Sequence, residues 1–398
     1  MMGRSVAVVG DVTVPSTWSG TPFHFWQAAK AAGFASLPWR LDLAAFRWRR
    51  LAWNGRRVMA GCATGGYQYS RDFLDCAERQ IPAALFATEV ITFNPHFPRA
   101  KSMQKAGGVL NHYIDAPFAA LASGRGLDLR LPASVVREAR ELERANFVGS
   151  KRIVTMARWA AEVAVAECGV SPGKVFTILP GANLDLPLDW NFPVPAGRAG
   201  RERDFVLGFV GKEWQRKGLP SIVAVRDELV RRGWKASVHV AGHAPSGMKK
   251  CEGIHFAGFI DKWKDGAKFL DFLSACDVGC LFSKEEALGI STLEFLRAGV
   301  PVAGFLHEGP ADTLPPDSGF RFARKTKISE MADLFEAYLE DETMQAGLRR
   351  NARRWSPWLT WERCLNEFEE LWTTGTVKNP VRPWLGLSES LPAERVER

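Results

Sequence analysis

The chain has 398 residues, 46% of them hydrophobic and 24% charged, with 52 Lys and Arg against 44 Asp and Glu for a net charge of +8. That length exceeds what one ordinary core supports and points to two domains of similar size. The composition is that of a soluble globular protein, and no apolar run approaches the ~20 residues of a membrane-spanning helix.

The opening segment "MMGRSVAVVGDVTVPS" carries an apolar run that ends at Gly10-Asp11, too short for the core of a secretory leader, and reads as a first strand, Val6–Val9. Seven scattered cysteines include no Cys-x-x-Cys pair and no histidine at a metal-ligating spacing, which predicts reduced thiols in a cytoplasmic protein and no metal site. Residues 1–190 hold 22 basic against 15 acidic residues and the remainder 30 against 29, so +7 of the charge lies in the first half. A one-sided positive field suits a phosphate-bearing partner or an anionic membrane surface, and a merely basic solvated surface accounts for it as well.

In chain order, a helix over Phe23–Ala32 stopped by Gly33 follows the first strand, and "RWRRLAWNGRR", Arg47 to Arg57, mixes cations with Trp48 and Trp53. The last stretch reads either as a membrane-surface patch or as a solvated helix with partly packed tryptophans. Further strands are expected at Ala83–Ala87, Val109–Ile114, Asn146–Val148 and Val175–Leu179, with a helix over Thr155–Cys168. Residues 187–204, "PLDWNFPVPAGRAGRERD", have the composition of an exposed linker. The pattern then restarts with strand Phe205–Val210, helix Leu219–Arg232, strands Ser237–Ala241 and His255–Ala257, helix Lys268–Ala275 and strand Val278–Phe282. An amphipathic helix from Gly289 to Ala298, with Ile290, Leu293 and Leu296 inward, precedes strand Val302–Phe305 and an aromatic-rich helix around Trp358–Trp372. Two α/β domains in tandem are expected, with a ligand cleft between them.

Two stretches in the second half invite an anion. "FVGKEWQRKG", Phe209 to Gly218, runs from a buried strand into a helix start, so Lys212, Arg216 and Lys217 stand at the carboxyl end of a parallel strand, where ligands sit. Glycines at both ends permit a tight turn and the next helix offers free N–H groups to a phosphate. In "KEEALGISTLEFLRAGVP" the N–H groups of Gly289, Ile290 and Ser291 open another helix. Glu294 lies inside that helix and Glu286 just ahead of it. A carboxylate accepts two hydroxyls at once, which suits a ribose diol or a sugar, but on spacing alone a solvated helix residue at Glu294 and a helix N-terminal charge at Glu286 stay ahead of that reading.

Together these stretches resemble the retaining glycosyltransferases of the GT-B fold, family 4 in particular. Glu286 and Glu294 match the family's paired glutamates, with seven residues between them, and "EFLRAGVPV" follows as in the family. Gly211, Lys212 and Lys217-Gly218 match its phosphate loop, with Lys212 where the family often has Arg. "GFI" at Gly258–Ile260 resembles the base-holding segment, and "ILPGANLD" at Ile178–Asp185 the end of the first domain. The resemblance spans about residues 5–372, firmly in the second half and loosely in the first.

The resemblance implies two Rossmann-like domains facing each other across a cleft. Residues 1–190 would be the acceptor side, 191–357 the donor domain, 358–374 a helix crossing back onto the first domain, and 375–398 a polar tail. It implies that Lys212 and Lys217 bind the diphosphate of a nucleotide diphosphate sugar, with backbone at Gly20, Gly289, Ile290 and Ser291. Glu294 would hold the ribose, Gly258 and Phe259 the base, and Glu286 the transferred sugar. Asp115 in "NHYIDAPF" would be the acceptor-side catalytic group, with His112 as competitor. The reaction builds charge on a leaving diphosphate, which fixed cations and a helix start stabilise; no Asp-x-Asp occurs, so no metal and no cofactor are expected. The acceptor would be a glycan or lipid-linked sugar of envelope or exopolysaccharide synthesis. The alternatives are a non-catalytic nucleotide- or glycan-binding protein, or a phosphorylase or epimerase on the same fold. A nucleic-acid partner is not expected, because the basic excess is modest.

Overall fold

The structure, a computed structural model, describes residues 3–126, 131–186, 190, 203–243 and 251–377. It divides into two compact units. Among the described residues the first takes those up to Asn183 together with Glu285–Gly289 and Leu359–Thr376, and the second those from Leu184 to Lys284 and Ile290–Trp358. Most of the expected linker 187–204 and of the tail after Gly375 lies outside the described residues.

In the first unit β1 (Arg4–Ala7), α1 (Thr21–Ala31), β2 (Leu37–Pro38), α2 (Arg47–Met59), α3 (Arg71–Gln80), β3 (Glu89–Thr92), α4 (Ala100–Lys105) and β4 (Val109–Ile114) lead to α5 (Phe118–Leu121). The chain continues through α6 (Ala133–Gly149), β5 (Arg152–Thr155), α7 (Arg158–Ala166) and β6 (Val175–Thr177). The strands form one parallel sheet in the order β2-β1-β3-β4-β5-β6, with Val6 opposite Ile91 and Ile91 opposite Asn111. A parallel sheet needs both faces covered, and accordingly Val6, Val90, Ile91, Ile153 and Val154 are fully buried.

Two expected strands are absent. Ala83–Ala87 is a 3-10 turn entered from Pro82, because an alanine-rich run has little strand preference and only Phe86 within it is buried. Asn146–Val148 is the last turn of α6, where the Asn146 amide accepts from the Ala100 N–H at 2.7 Å and donates to the carbonyls of Pro95 and Pro98. The strand that an apolar reading placed there lies a few residues later, at β5. The helix expected from Thr155 starts at Arg158, since Thr155 is still paired with Ile114 and Thr177.

The second unit runs β7 (Phe205–Gly211), α8 (Leu219–Arg231), β8 (Ala236–Gly242), β9 (Ile254–Gly258), α9 (Gly266–Ser274), β10 (Val278–Leu281), α10 (Ile290–Arg297), β11 (Val302–Phe305) and α11 (Pro310–Thr313). It ends with β12 (Gly319–Phe322), α12 (Ile328–Glu340) and α13 (Glu342–Trp355). Its parallel sheet has the order β12-β11-β10-β7-β8-β9. The core gathers Phe205, Leu207 and Phe209 with Leu219, Val238, Phe320, Phe335 and Tyr338.

The helix read as amphipathic from Gly289 to Ala298 is instead enclosed on all sides. In α10 every residue after Ile290 is buried, because α9, α11 and α13 pack around it. Its Phe295 ring lies over β10, where a Cβ on Gly279 would stand 2.2 Å from it. The two charges inside such a helix need partners. Arg297 donates to the Ser356 carbonyl at 3.1 Å and to its hydroxyl at 2.9 Å.

The final helix, α14 (Trp361–Thr374), belongs to the first unit. Phe368 packs against Tyr113 and Phe25, with ring centroids 4.8 and 5.0 Å away, and Arg363 donates to the carbonyls of Leu179 and Pro180 at 2.7 and 3.1 Å. Gly181 lets the segment after β6 approach it, since a Cβ there would lie 2.5 Å from the Trp361 nitrogen. These aromatics pack α14 onto the first sheet.

Candidate functional site

In the second unit, β7 ends at Gly211 and the chain turns into α8 through Gly218, whose φ is +78°. A Cβ on Gly218 would stand 1.9 Å from the carbonyl oxygen of Phe282, so only glycine brings the start of α8 against the end of β10. A Cβ on Gly242 would likewise lie 1.8 Å from the Gly211 carbonyl. The Lys284 N–H donates to the Arg216 carbonyl at 2.8 Å, tying the loop after β10 to the loop after β7.

The three cations of that loop do different things. Arg216 is paired with Glu213, to which its Nε donates at 3.0 Å. The stem of Lys217 lies against Gly211, with its Cδ 2.6 Å from where a Cβ would be, and its charge favours ionisation of Glu294. The Lys212 ammonium sits 5.0 Å over the ring of Phe259, which follows Gly258 at the end of β9 and is 57% exposed. The structure therefore brings Lys212 to Phe259 and Lys217 to Glu294.

Glu294 has no exposed surface. Burial raises its carboxyl above the usual range against the opposing pull of Lys262 and Lys217. Lys262 donates to Oε1, while Oε2 is buried without a hydrogen-bond partner. Ser291 and Thr292, in the first turn of α10, are buried as well. An acceptor-only oxygen in that state is suited to a ligand hydroxyl. Sequence reasoning missed Lys262; its only signal was a lysine shortly after "GFI".

In the first unit, Asp115 follows the last residue of β4 and accepts from the Ala116 N–H at 2.8 Å. Burial pushes its carboxyl up to about 6, opposed by backbone N–H groups and reinforced by the charge of Glu286. Glu286 is buried, and its segment is held by Trp159, whose indole N–H donates to the Ala287 carbonyl at 2.9 Å. Asp115 and Glu286 are thus two carboxylates close enough to feel each other's charge. The buried Glu143 of α6 accepts from the N–H groups of Phe118 and Ala119, at the start of α5, and burial pushes it up to about 7.

His112, the competitor, is fully buried inside β4. Its Nε2 lies 3.0 Å from the Ser150 hydroxyl and its Nδ1 3.2 Å from the Asn94 carbonyl, and burial lowers its pKa to about 3. That is the environment of a structural imidazole.

Gly20 precedes α1 at φ +92°, after Trp18 and Ser19, which also have positive φ. Asn183 donates to the Ser19 carbonyl and the Thr21 hydroxyl, both at 3.0 Å, and so secures this unusual loop. Two consecutive residues with side chains in the left-handed region, Trp18 and Ser19, are costly, and such strain collects at ligand-binding loops. Gly289, at φ +86°, leads directly into Ile290 and Ser291.

Residues 197–355 match the family of glycosyl transferases group 1. Those residues form a domain of the glycosyl transferases group 1 type. The chain is 26% identical over 270 residues to the 2-deoxystreptamine glucosyltransferase of Streptomyces kanamyceticus, covering 63% of this chain and 68% of that one. With the 2-deoxystreptamine N-acetyl-D-glucosaminyltransferase of Streptomyces fradiae it shares 30% identity over 201 residues, 47% of this chain and 45% of the relative. Its fold is that of the Anabaena protein HepE, solved in complex with UDP and glucose, with a TM-score of 0.62 at 13% identity over 94% of this chain and all of that one. The sucrose-phosphate synthase of Thermosynechococcus elongatus superposes with a TM-score of 0.64 at 14% identity, covering 93% of this chain and 98% of that one. The chain has the GT-B fold of two Rossmann-like domains.

Proposed function

We propose that this chain takes a sugar from a nucleotide diphosphate sugar and leaves it on a glycan or lipid-linked acceptor with retained anomeric configuration, in envelope or exopolysaccharide synthesis. The observation that carries the reading is Glu294: an enclosed carboxylate with one oxygen on Lys262 and the other unpartnered, as a clamp for a ribose diol would be. Lys212 and Lys217 bind the diphosphate together with backbone at Gly20, Gly289, Ile290 and Ser291. Gly258 and Phe259 flank the base. Glu286 holds the transferred sugar, and Asp115 is the acceptor-side catalytic group. UDP in the complex of the Anabaena protein makes uridine donors the first to try.

Chemically, departure of the nucleoside diphosphate places negative charge where Lys212, Lys217 and the start of α10 supply opposite charge, and preorganised charge of that kind lowers the barrier. In the same reading the enzyme works at the inner face of a membrane, with its basic first unit in peripheral contact. Calorimetry with UDP, GDP and ADP, followed by turnover assays on the matching sugar donors, tests the proposal. The absence of nucleotide binding together with the absence of donor transfer and hydrolysis would overturn it.

A further inference from the structure

From Leu43 to Arg71 the chain contains six arginines and no acidic residue. Within this stretch α2 turns Trp53 toward the protein: its indole N–H donates to the Gly65 carbonyl at 2.9 Å and its ring lies 5.8 Å from that of Tyr67. At 3.6 residues per turn, Trp48, Leu51, Gly55, Val58 and Met59 fall on one strip, on the side away from Trp53. Trp48 is 74% exposed, Met59 88%, Val58 63% and Leu51 50%, and Leu43 just ahead of the helix is 49% exposed. Arg47, Arg49, Arg50 and Arg56 are exposed around this strip, and the Arg47 guanidinium lies 5.5 Å over the Trp48 ring.

An exposed apolar strip on one helix is costly in water and marks a contact surface. Its surroundings select the partner. Arg49 is taken up by Asp72 at 3.0 Å, but a rim that keeps Arg47, Arg50 and Arg56 is complementary to phosphate headgroups, and tryptophan beside arginine is the side-chain pairing that settles at a bilayer boundary. We propose that α2 lies in the headgroup layer of an anionic membrane, with Trp48, Leu51, Val58 and Met59 facing the acyl chains and Arg50 and Arg56 on lipid phosphates. This gives the membrane contact in the functional reading a specific surface, and it involves none of the residues assigned to donor or acceptor.

The test is co-sedimentation of the full chain with vesicles of phosphatidylcholine alone and of phosphatidylcholine mixed with phosphatidylglycerol. Binding is expected only to the mixed vesicles and should weaken as salt rises. Each arginine at an anionic surface strengthens binding about fivefold, so R50A/R56A should weaken it about 25-fold. W48A/L51A should weaken it roughly tenfold or more. Both variants should keep the wild-type melting temperature and nucleotide binding, because all four side chains are exposed. Failure to bind phosphatidylglycerol, equal binding to phosphatidylcholine alone, or wild-type binding by R50A/R56A would each overturn the proposal. So would a dimer in ultracentrifugation that W48A/L51A dissolves, which would assign the strip to a second copy. Loss of the donor reading would show in calorimetry and leave the vesicle result untouched.

Discussion

Lys262 donates its ammonium group to Oε1 of Glu294 and leaves Oε2 of the same buried carboxylate without a hydrogen-bond partner. The pair fixes the carboxylate and keeps one lone-pair face for a ligand. Lys262→Met should destabilise the chain by about 1–3 kcal/mol, since it strands a buried charge while the lysine itself is partly exposed. Glu294→Gln in the Lys262→Met background should recover much of that loss. Glu294→Gln alone should weaken nucleotide binding roughly 10- to 100-fold, the worth of a hydrogen bond to a charged acceptor. Denaturant unfolding and calorimetry on the four proteins check both; wild-type nucleotide affinity in Glu294→Gln would sink the ribose assignment.

The start of α8 depends on a residue without a side chain. Gly218→Ala would put a Cβ 1.9 Å from the Phe282 carbonyl at a φ of +78°, and strain together with overpacking should cost about 2–5 kcal/mol. The displaced helix start should also reduce nucleotide affinity. By contrast, Gly33→Ala, where nothing lies within 4 Å, should cost only the backbone strain of its positive φ. Melting curves of the two variants separate a steric from a purely conformational effect.

The second unit was the more legible in the sequence because its glycines, lysines and glutamates have local reasons to stand where they do. Gly211 and Gly218 are adjacent in space to strands that the sequence pattern identified, and Glu294 lies on a helix found from its apolar spacing. The enclosure of that helix was not legible, since it comes from α9, α11 and α13, none of which its own periodicity reports. The same holds for Lys262, 32 positions from Glu294, and for Glu143, which meets Phe118 and Ala119 only because α6 returns along the sheet. In the first unit the strands Ala83–Ala87 and Asn146–Val148 were misread, because short apolar runs do not by themselves tell strand from turn or helix end.

His112 should be dispensable for chemistry. His112→Gln removes hydrogen bonds to Ser150 and Asn94 inside β4 and should lower stability by about 1–3 kcal/mol. Turnover per folded molecule should remain near wild type. A drop in kcat of more than about tenfold without loss of fold would return His112 to the catalytic set. The buried imidazole also has a pH signature: its pKa is lowered to about 3, so the stability that it contributes is present above the ordinary value of 6.5 and is lost as pH falls.

Asp115 should give the opposite dependence. Its carboxyl is raised to about 6 from an ordinary 3.8, first by burial and further by the charge of Glu286. The folded state therefore binds its proton more tightly than the unfolded state. That contribution to stability is complete below about 3.8 and is lost as pH rises through about 6. Glu143, raised to about 7, adds a loss of the same sign. If ionised Asp115 acts on the acceptor, kcat/KM should climb with pH through about 6, and Asp115→Asn should abolish both the climb and its share of the stability slope. Glu286→Gln removes the neighbouring charge, so Asp115 should titrate at lower pH in that variant. Carboxylate titration by NMR in wild type and Glu286→Gln decides the point: an unmoved Asp115 would mean that the two acids act independently.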